Sequence, residues 1–255
     1  MSTSALRNIG GGMFILVLVL TAVAVVAAAV LTAVGLLFAY MQVAGTAYPQ
    51  AVAWLGKPTG ILMIVACATA SLILPVWLLL ILRRKLSWED LGWRRPSVKW
   101  VVLAVLLVLA YGFLSGWLYA TIADESDMRA QVQDQIGAFI DLRNPNIFTI
   151  TALLLVVGPL AGMIEELLFR GFVFGWIRAR APVVVAAAVS GILFALVHPY
   201  YVEPGGFLGI YASVEIFLLG VLLAWIYVRS GSIVPSIIGH ATNNFVVTIY
   251  ALATL

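Results

Sequence analysis

Two adjacent carboxylates and an arginine, Glu165, Glu166 and Arg170, stand inside an apolar run from Ile147 to Ile177. The only two histidines of the chain, His198 and His240, stand in later apolar runs, and Asn244 follows His240 by four residues. Carboxylate and imidazole are the groups of proton transfer near neutral pH. An ionisable side chain at bilayer depth costs ~2.5–3.5 kcal/mol on insertion scales, so such groups are usually partnered and their positions point to function.

The spacing sorts their roles. Glu166 and Arg170 are i and i+4 with the acid N-terminal, the favourable order for a helical ion pair. They can neutralise each other, and Glu165, turned about 100° away on a helix, is left to act as a general base. The competing reading of Glu165 is a helix cap or a plain salt bridge. Phe194 and His198 are also i and i+4, so the ring shares the face that carries the imidazole. His198 taken alone fits an interhelical hydrogen bond equally well. His240 and Asn244 project to one face, as a site or as a polar clamp between helices, and Asn243 on a neighbouring face is read as structural. Glu215 sits in another apolar run near Tyr211, and a structural role is the expectation for it. Gly220, with Ala224 four residues on, permits close helix packing.

The elements that must position these groups follow from composition. Of 255 residues 64% are hydrophobic and only 10% charged, whereas soluble domains carry about 25% charged residues. The expected fold is all-α, a polytopic transmembrane helical bundle of about seven spans: Met13–Met41, Thr59–Leu82, Val101–Ile122, Ile147–Ile177, Pro182–His198, Phe207–Val228 and Ile233–Ala253. The first is too long for a signal-peptide core of about 7–15 residues. Gly158-Pro159 can break or kink the fourth. Gln42–Pro58 reads as a loop and residues 1–12 as a short polar lead. Met128, Val132, Ile136, Phe139 and Ile140 recur at helical spacing within 123–146, as an interfacial amphipathic helix or a short packed one. Cys67 is the single cysteine, so no internal disulfide forms.

Loop charge sets the expected orientation. Arg7, the six basic residues of 83–99, Arg178, Arg180 and Arg229 fall on one side, against Lys57, Arg129 and Arg143 on the other. The positive-inside rule then puts the N-terminus in the cytoplasm. The basic residues cluster in loops as topology requires, so the net charge of +3 does not point to nucleic acid. Spans one to three carry no charged residue or histidine in their apolar parts, and the chemistry lies in the last four. At 1.5 Å per residue, Glu165 lies roughly 18 Å from Ile177, His198 roughly 22–24 Å from Pro182 and His240 roughly 11 Å from Ile233, depths compatible with one layer.

Taken together, Glu165-Glu166-x-x-x-Arg170, Phe194-x-x-x-His198 and His240-x-x-x-Asn244 resemble the three motifs of the CAAX prenyl protease and bacteriocin-processing (CPBP, or Abi) family of intramembrane proteases. Phe169-Arg170-Gly171, Ser190-Gly-Ile-Leu-Phe194 and Gly231-Ser-Ile-Val-Pro-Ser-Ile-Ile-Gly-His240 agree with it. Upstream, Trp88-Glu-Asp-Leu-Gly-Trp-Arg-Arg-Pro96 is similar to a loop that often precedes the core in bacterial members. Ala224 departs from the pattern, standing where many members have a second glycine. The resemblance divides the chain into N-terminal helices, 1–85, and a protease core, 86–255. It implies an endopeptidase hydrolysing peptide bonds within the membrane. Glu165 and His198 would activate water, His240 and Asn244 would stabilise the oxyanion, and Glu166, Arg170 and Phe194 would hold the geometry. Two cofactor readings stay open: no metal, or Zn2+ on Glu165, His198 and His240, although no His-Glu-x-x-His pair is present. The implied partners are a peptide or membrane-protein substrate and the lipid bilayer, with no nucleic acid, in an integral protein of a bacterial plasma membrane. The alternatives are a proton-coupled transporter, with Glu and His as relay, and a non-catalytic immunity or scaffold membrane protein.

Overall fold

In the computed structural model the described residues are 4–122, 137–141, 145–198 and 206–253. Apolar runs with no loop signal inside them form helices, because only a helix satisfies its own backbone in hydrocarbon. The helices are α1 (Ser4–Arg7), α2 (Gly11–Ala44), α3 (Tyr48–Leu55), α4 (Pro58–Ile81), α5 (Val98–Ile122), α6 (Ile147–Arg178), α7 (Val183–Leu196), α8 (Gly206–Ser230) and α9 (Val234–Ala253). Among the described residues there is no strand. Five helices are long and apolar enough to cross a membrane: α2, α4, α5, α6 and α8. With the shorter apolar α7 and the 20-residue α9, they make up the bundle of about seven passes.

The segment expected to be a loop at 42–58 holds α3, started by Pro49 in its first turn, where a missing N–H costs nothing. The periodic residues at 123–136, and residues 142–144, lie outside the described residues. Of that set Phe139 and Ile140 are described, Ile140 fully buried with Leu62 and Leu153 and Phe139 partly buried against them. The lead before α2 is no idle tail. Leu6 and Ile9 are buried in the main core. The Arg180 guanidinium donates to the carbonyls of Leu6 (3.2 Å), Arg7 (2.7 Å) and Ile9 (2.6 Å), and Trp176 Nε1 donates to Ile9 O at 2.7 Å.

The helix that carries the two glutamates is unusual along its length. Pro159 does not break it. The chain passes through a π-helical segment, Val156–Leu160, in which the Ala161 N–H reaches back five residues to Val156 O. Proline removes a donor, and a wider turn re-pairs the carbonyls around it. A second π segment runs from Leu167 to Phe174 and includes Arg170. Neighbours approach through missing side chains. A Cβ at Gly158 would stand 2.5 Å from the Phe245 ring, and one at Gly162 would stand 3.2 Å from Ala241 N, so α6 and α9 meet nearly backbone to backbone. A Cβ at Gly171 would stand 2.9 Å from Leu91 O. That carbonyl belongs to the α4–α5 connection, whose buried Leu91 wedges beneath α6. The following Gly92, at φ +89°, accepts from Ile233 N at 2.9 Å, which ties the connection to the start of α9.

Candidate active site

Glu166 and Arg170 have no exposed side-chain surface and pair at 2.7 Å, Oε1 to Nη1. Desolvated charges persist only when offset and hydrogen-bonded. Arg170 finds further support from α8 and α7. Its Nη2 donates to Gly220 O at 3.1 Å, and its guanidinium lies 4.3 Å from the centroid of the Phe194 ring. Gly220 makes this possible, since a Cβ there would stand 3.3 Å from Arg170 Nη2 and 3.2 Å from Gly191 Cα. Ser190 donates to Phe169 O at 2.9 Å and fastens α7 to the same turn of α6.

The histidines arrive from α9 and from the C-terminal end of α7. His240 Nδ1 lies 3.1 Å from Glu166 Oε1. A carboxylate held by an arginine accepts, so Nδ1 carries the proton. His198 Nδ1 lies 2.6 Å from Phe194 O, and a carbonyl also only accepts. Each ring is therefore pinned through Nδ1 and turns Nε2 the other way. Both Nε2 atoms face one oxygen, Glu165 Oε2, at 3.6 Å from His198 and 3.8 Å from His240. Phe194 fixes the ring planes, with centroids 4.6 Å from His198 and 5.6 Å from His240. Glu165 (15% exposed) and His198 (13%) form the accessible edge, with His240 behind them at 3%.

The structure thus brings Glu165, Glu166, Arg170, Phe194, His198 and His240 into one cluster. Asn244 lies one turn beyond His240, its Nδ2 donating to Val157 O at 2.7 Å in the first π segment of α6. Its Oδ1 accepts from Asn243 Nδ2 at 3.4 Å. Glu215 stands apart, between α5 and α8. Tyr111 donates to its backbone carbonyl at 2.6 Å, and Tyr211 one turn earlier donates to Ser115 O at 2.7 Å. Sequence reasoning missed the Glu166–His240 link and the wedge at Leu91. The spacings Gly158-x-x-x-Gly162 and Gly171-x-x-x-Gly175 were the available signal that α6 takes close neighbours.

For a metal the fit is poor. Among the described residues no three His, Cys, Asp or Glu side chains are arranged to hold an ion, and both imidazoles address the same carboxylate oxygen.

A carboxylate, two oriented imidazoles and a buried ion pair, inside a polytopic helical membrane protein, define a membrane-embedded site of acid–base type. Comparison with known proteins narrows this. Residues 147–246 match the family described as Rce1-like, type II CAAX prenyl endopeptidase, which shows the resemblance carried by the three motifs. In general kind the matched region is similar to that of a CAAX-protease-like membrane endopeptidase. The chain is also similar to the UPF0177 protein YxdF of Lactococcus lactis subsp. lactis (strain IL1403), 26% identical over 156 residues, covering 60% of this chain and 76% of that protein. No solved structure matches it.

Proposed function

We propose that the protein is an intramembrane endopeptidase in which Glu165 and His198 activate a water, and His240 and Asn244 hold the oxyanion. The observation that carries this is the convergence of two Nδ1-anchored imidazoles on Glu165 Oε2 at 3.6 and 3.8 Å. These separations are too long for strong direct hydrogen bonds and suit a water held between the groups. That water donates to Glu165 and His198, loses a proton to Glu165 and attacks the peptide carbonyl, and the proton then passes to the leaving amine. His240, fixed by Glu166 through Nδ1, presents Nε2 beside Glu165 and is placed to meet the oxyanion. Asn244 keeps a second amide hydrogen beyond the one given to Val157, and that hydrogen is the other oxyanion donor.

Residues 86–255 form the protease core and 1–85 its N-terminal helices. The substrate is a peptide or membrane protein reached from the bilayer. The site lies in a bacterial plasma membrane, with the N-terminus in the cytoplasm.

The test is cleavage of a fluorogenic peptide, prenylated and unprenylated, by purified full-length protein. The wild type cleaves, and Glu165→Ala, His198→Ala and His240→Ala lose activity by about 10²–10⁴. Equal cleavage by wild type and Glu165→Ala defeats the assignment. A chelator arm leaves the rate unchanged on this reading. Loss restored by zinc would return the metal alternative.

A further inference from the structure

We infer that the connection leaving α4 forms a binding site for the headgroup of an anionic phospholipid, separate from the glutamate–histidine cluster. α4 ends at Ile81, and the chain turns sharply through Arg84, which sits in the left-handed region at φ +54°. The Arg84, Lys85 and Leu86 N–H groups close the last carbonyls of the helix, on Ile81 O (2.9 Å) and Leu80 O (2.8 and 3.1 Å). The cationic side chains are thus not needed as caps. Among the described residues, Arg83, Arg84 and Lys85 are exposed and no side-chain partner is found for them.

The nearby Asp90 makes no ion pair with them. Asp90 Oδ2 accepts from Ser87 N and Ser87 Oγ, both at 2.8 Å, which occupies it within its own turn. Arg84 and Lys85 line a shallow cleft of about 420 Å³ with Ile81, Ser87, Trp88 and Asp90. Trp88 and Trp93 are exposed on the same connection, and Leu78 and Leu82 are exposed at the end of α4. Free cations, an indole at the rim and an apolar helix face beside them match an amphiphile with an anionic head, and a soluble anion would use only the first of these. Buried Leu86 and Leu91, together with Gly92 bonded to Ile233, hold the cleft in shape. Each cation near an anionic lipid surface contributes about fivefold to association.

The experiment takes the full chain in nanodiscs of phosphatidylcholine mixed with phosphatidylglycerol, and counts the lipids retained by native mass spectrometry. The wild type retains phosphatidylglycerol in preference to phosphatidylcholine. Arg84→Gly, which suits the left-handed backbone and so keeps the turn, reduces that preference about fivefold. Lys85→Ala added to it removes the preference, Lys85→Arg keeps it, and Lys57→Ala at the start of α4 leaves it unchanged. Equal retention of the two lipids by the wild type, or an undiminished preference in the Arg84→Gly, Lys85→Ala protein, overturns the inference. So does displacement of the lipid by inorganic phosphate that itself binds as tightly. Peptide cleavage is not read in this experiment, so its outcome stands apart from that of the protease reading.

Discussion

Glu166 serves two neighbours from a position with no exposed surface, Arg170 at 2.7 Å and His240 at 3.1 Å. Removing one partner of a buried pair leaves the other charged and desolvated, at a cost of about 3–5 kcal/mol. Arg170→Met therefore lowers the unfolding midpoint markedly in detergent, and adding Glu166→Gln recovers part of the loss. An unshifted midpoint in Arg170→Met contradicts the ion-pair account. Glu165 behaves differently, because it is part-exposed and the buried ion pair to Arg170 is made by Glu166 instead. Glu165→Gln keeps shape and folding and lowers kcat by about 10²–10⁴. Thermal unfolding measured beside the peptide assay separates these two kinds of glutamate. Asn244→Asp keeps the size but removes both amide hydrogens. It lowers kcat by about 10²–10³ with KM little changed if the second hydrogen meets the oxyanion. A change in KM alone would assign Asn244 to binding.

At the scale of elements, α6 is the organising piece, and it reaches its neighbours by lacking side chains. Its glycines meet α9 at Gly158 and Gly162 and the Leu91 wedge at Gly171. The Leu91 carbonyl is backbone and cannot rotate aside. Gly171→Ala should thus displace the connection or the turn of α6 beside Arg170, costing about 1–3 kcal/mol. The check is a lower unfolding midpoint together with new protease sensitivity in 86–94. Gly112→Ala on α5, where a Cβ meets nothing within 4 Å, is the control expected to leave both unchanged. The π segments belong to this scale as well. Pro159 forces the first, and Asn244 holds a carbonyl of that segment, so one side chain ties the irregular backbone of α6 to α9.

For the whole molecule the open matter is orientation, which the charge bias of the loops predicts. Cys67 is the single cysteine, so Cys67→Ala clears the background. Lys57→Cys and Arg84→Cys stand at opposite ends of α4. In intact cells a membrane-impermeant maleimide should label the first and spare the second. The reverse pattern inverts the topology.

Much of this was legible in the order of residues. Seven apolar runs became seven helices nearly at their expected bounds, because hydrocarbon leaves the backbone few other choices. The Glu166–Arg170 pair and the shared face of Phe194 and His198 follow from helical spacing alone, and the three motifs carried the resemblance that the family match shows. Only the tertiary structure decided which atoms meet. Spacing within one helix cannot say that Glu166 also reaches His240, which lies 74 residues away, or that both Nε2 atoms turn to Glu165 Oε2. Nor could it say that Asn244 grips Val157, that the lead to α2 is core, or that Leu91 sits beneath Gly171. Local pattern sets helices because their hydrogen bonds run between near neighbours. The site is set by contacts between distant segments, whose geometry depends on how glycine and π-helical turns let whole helices approach.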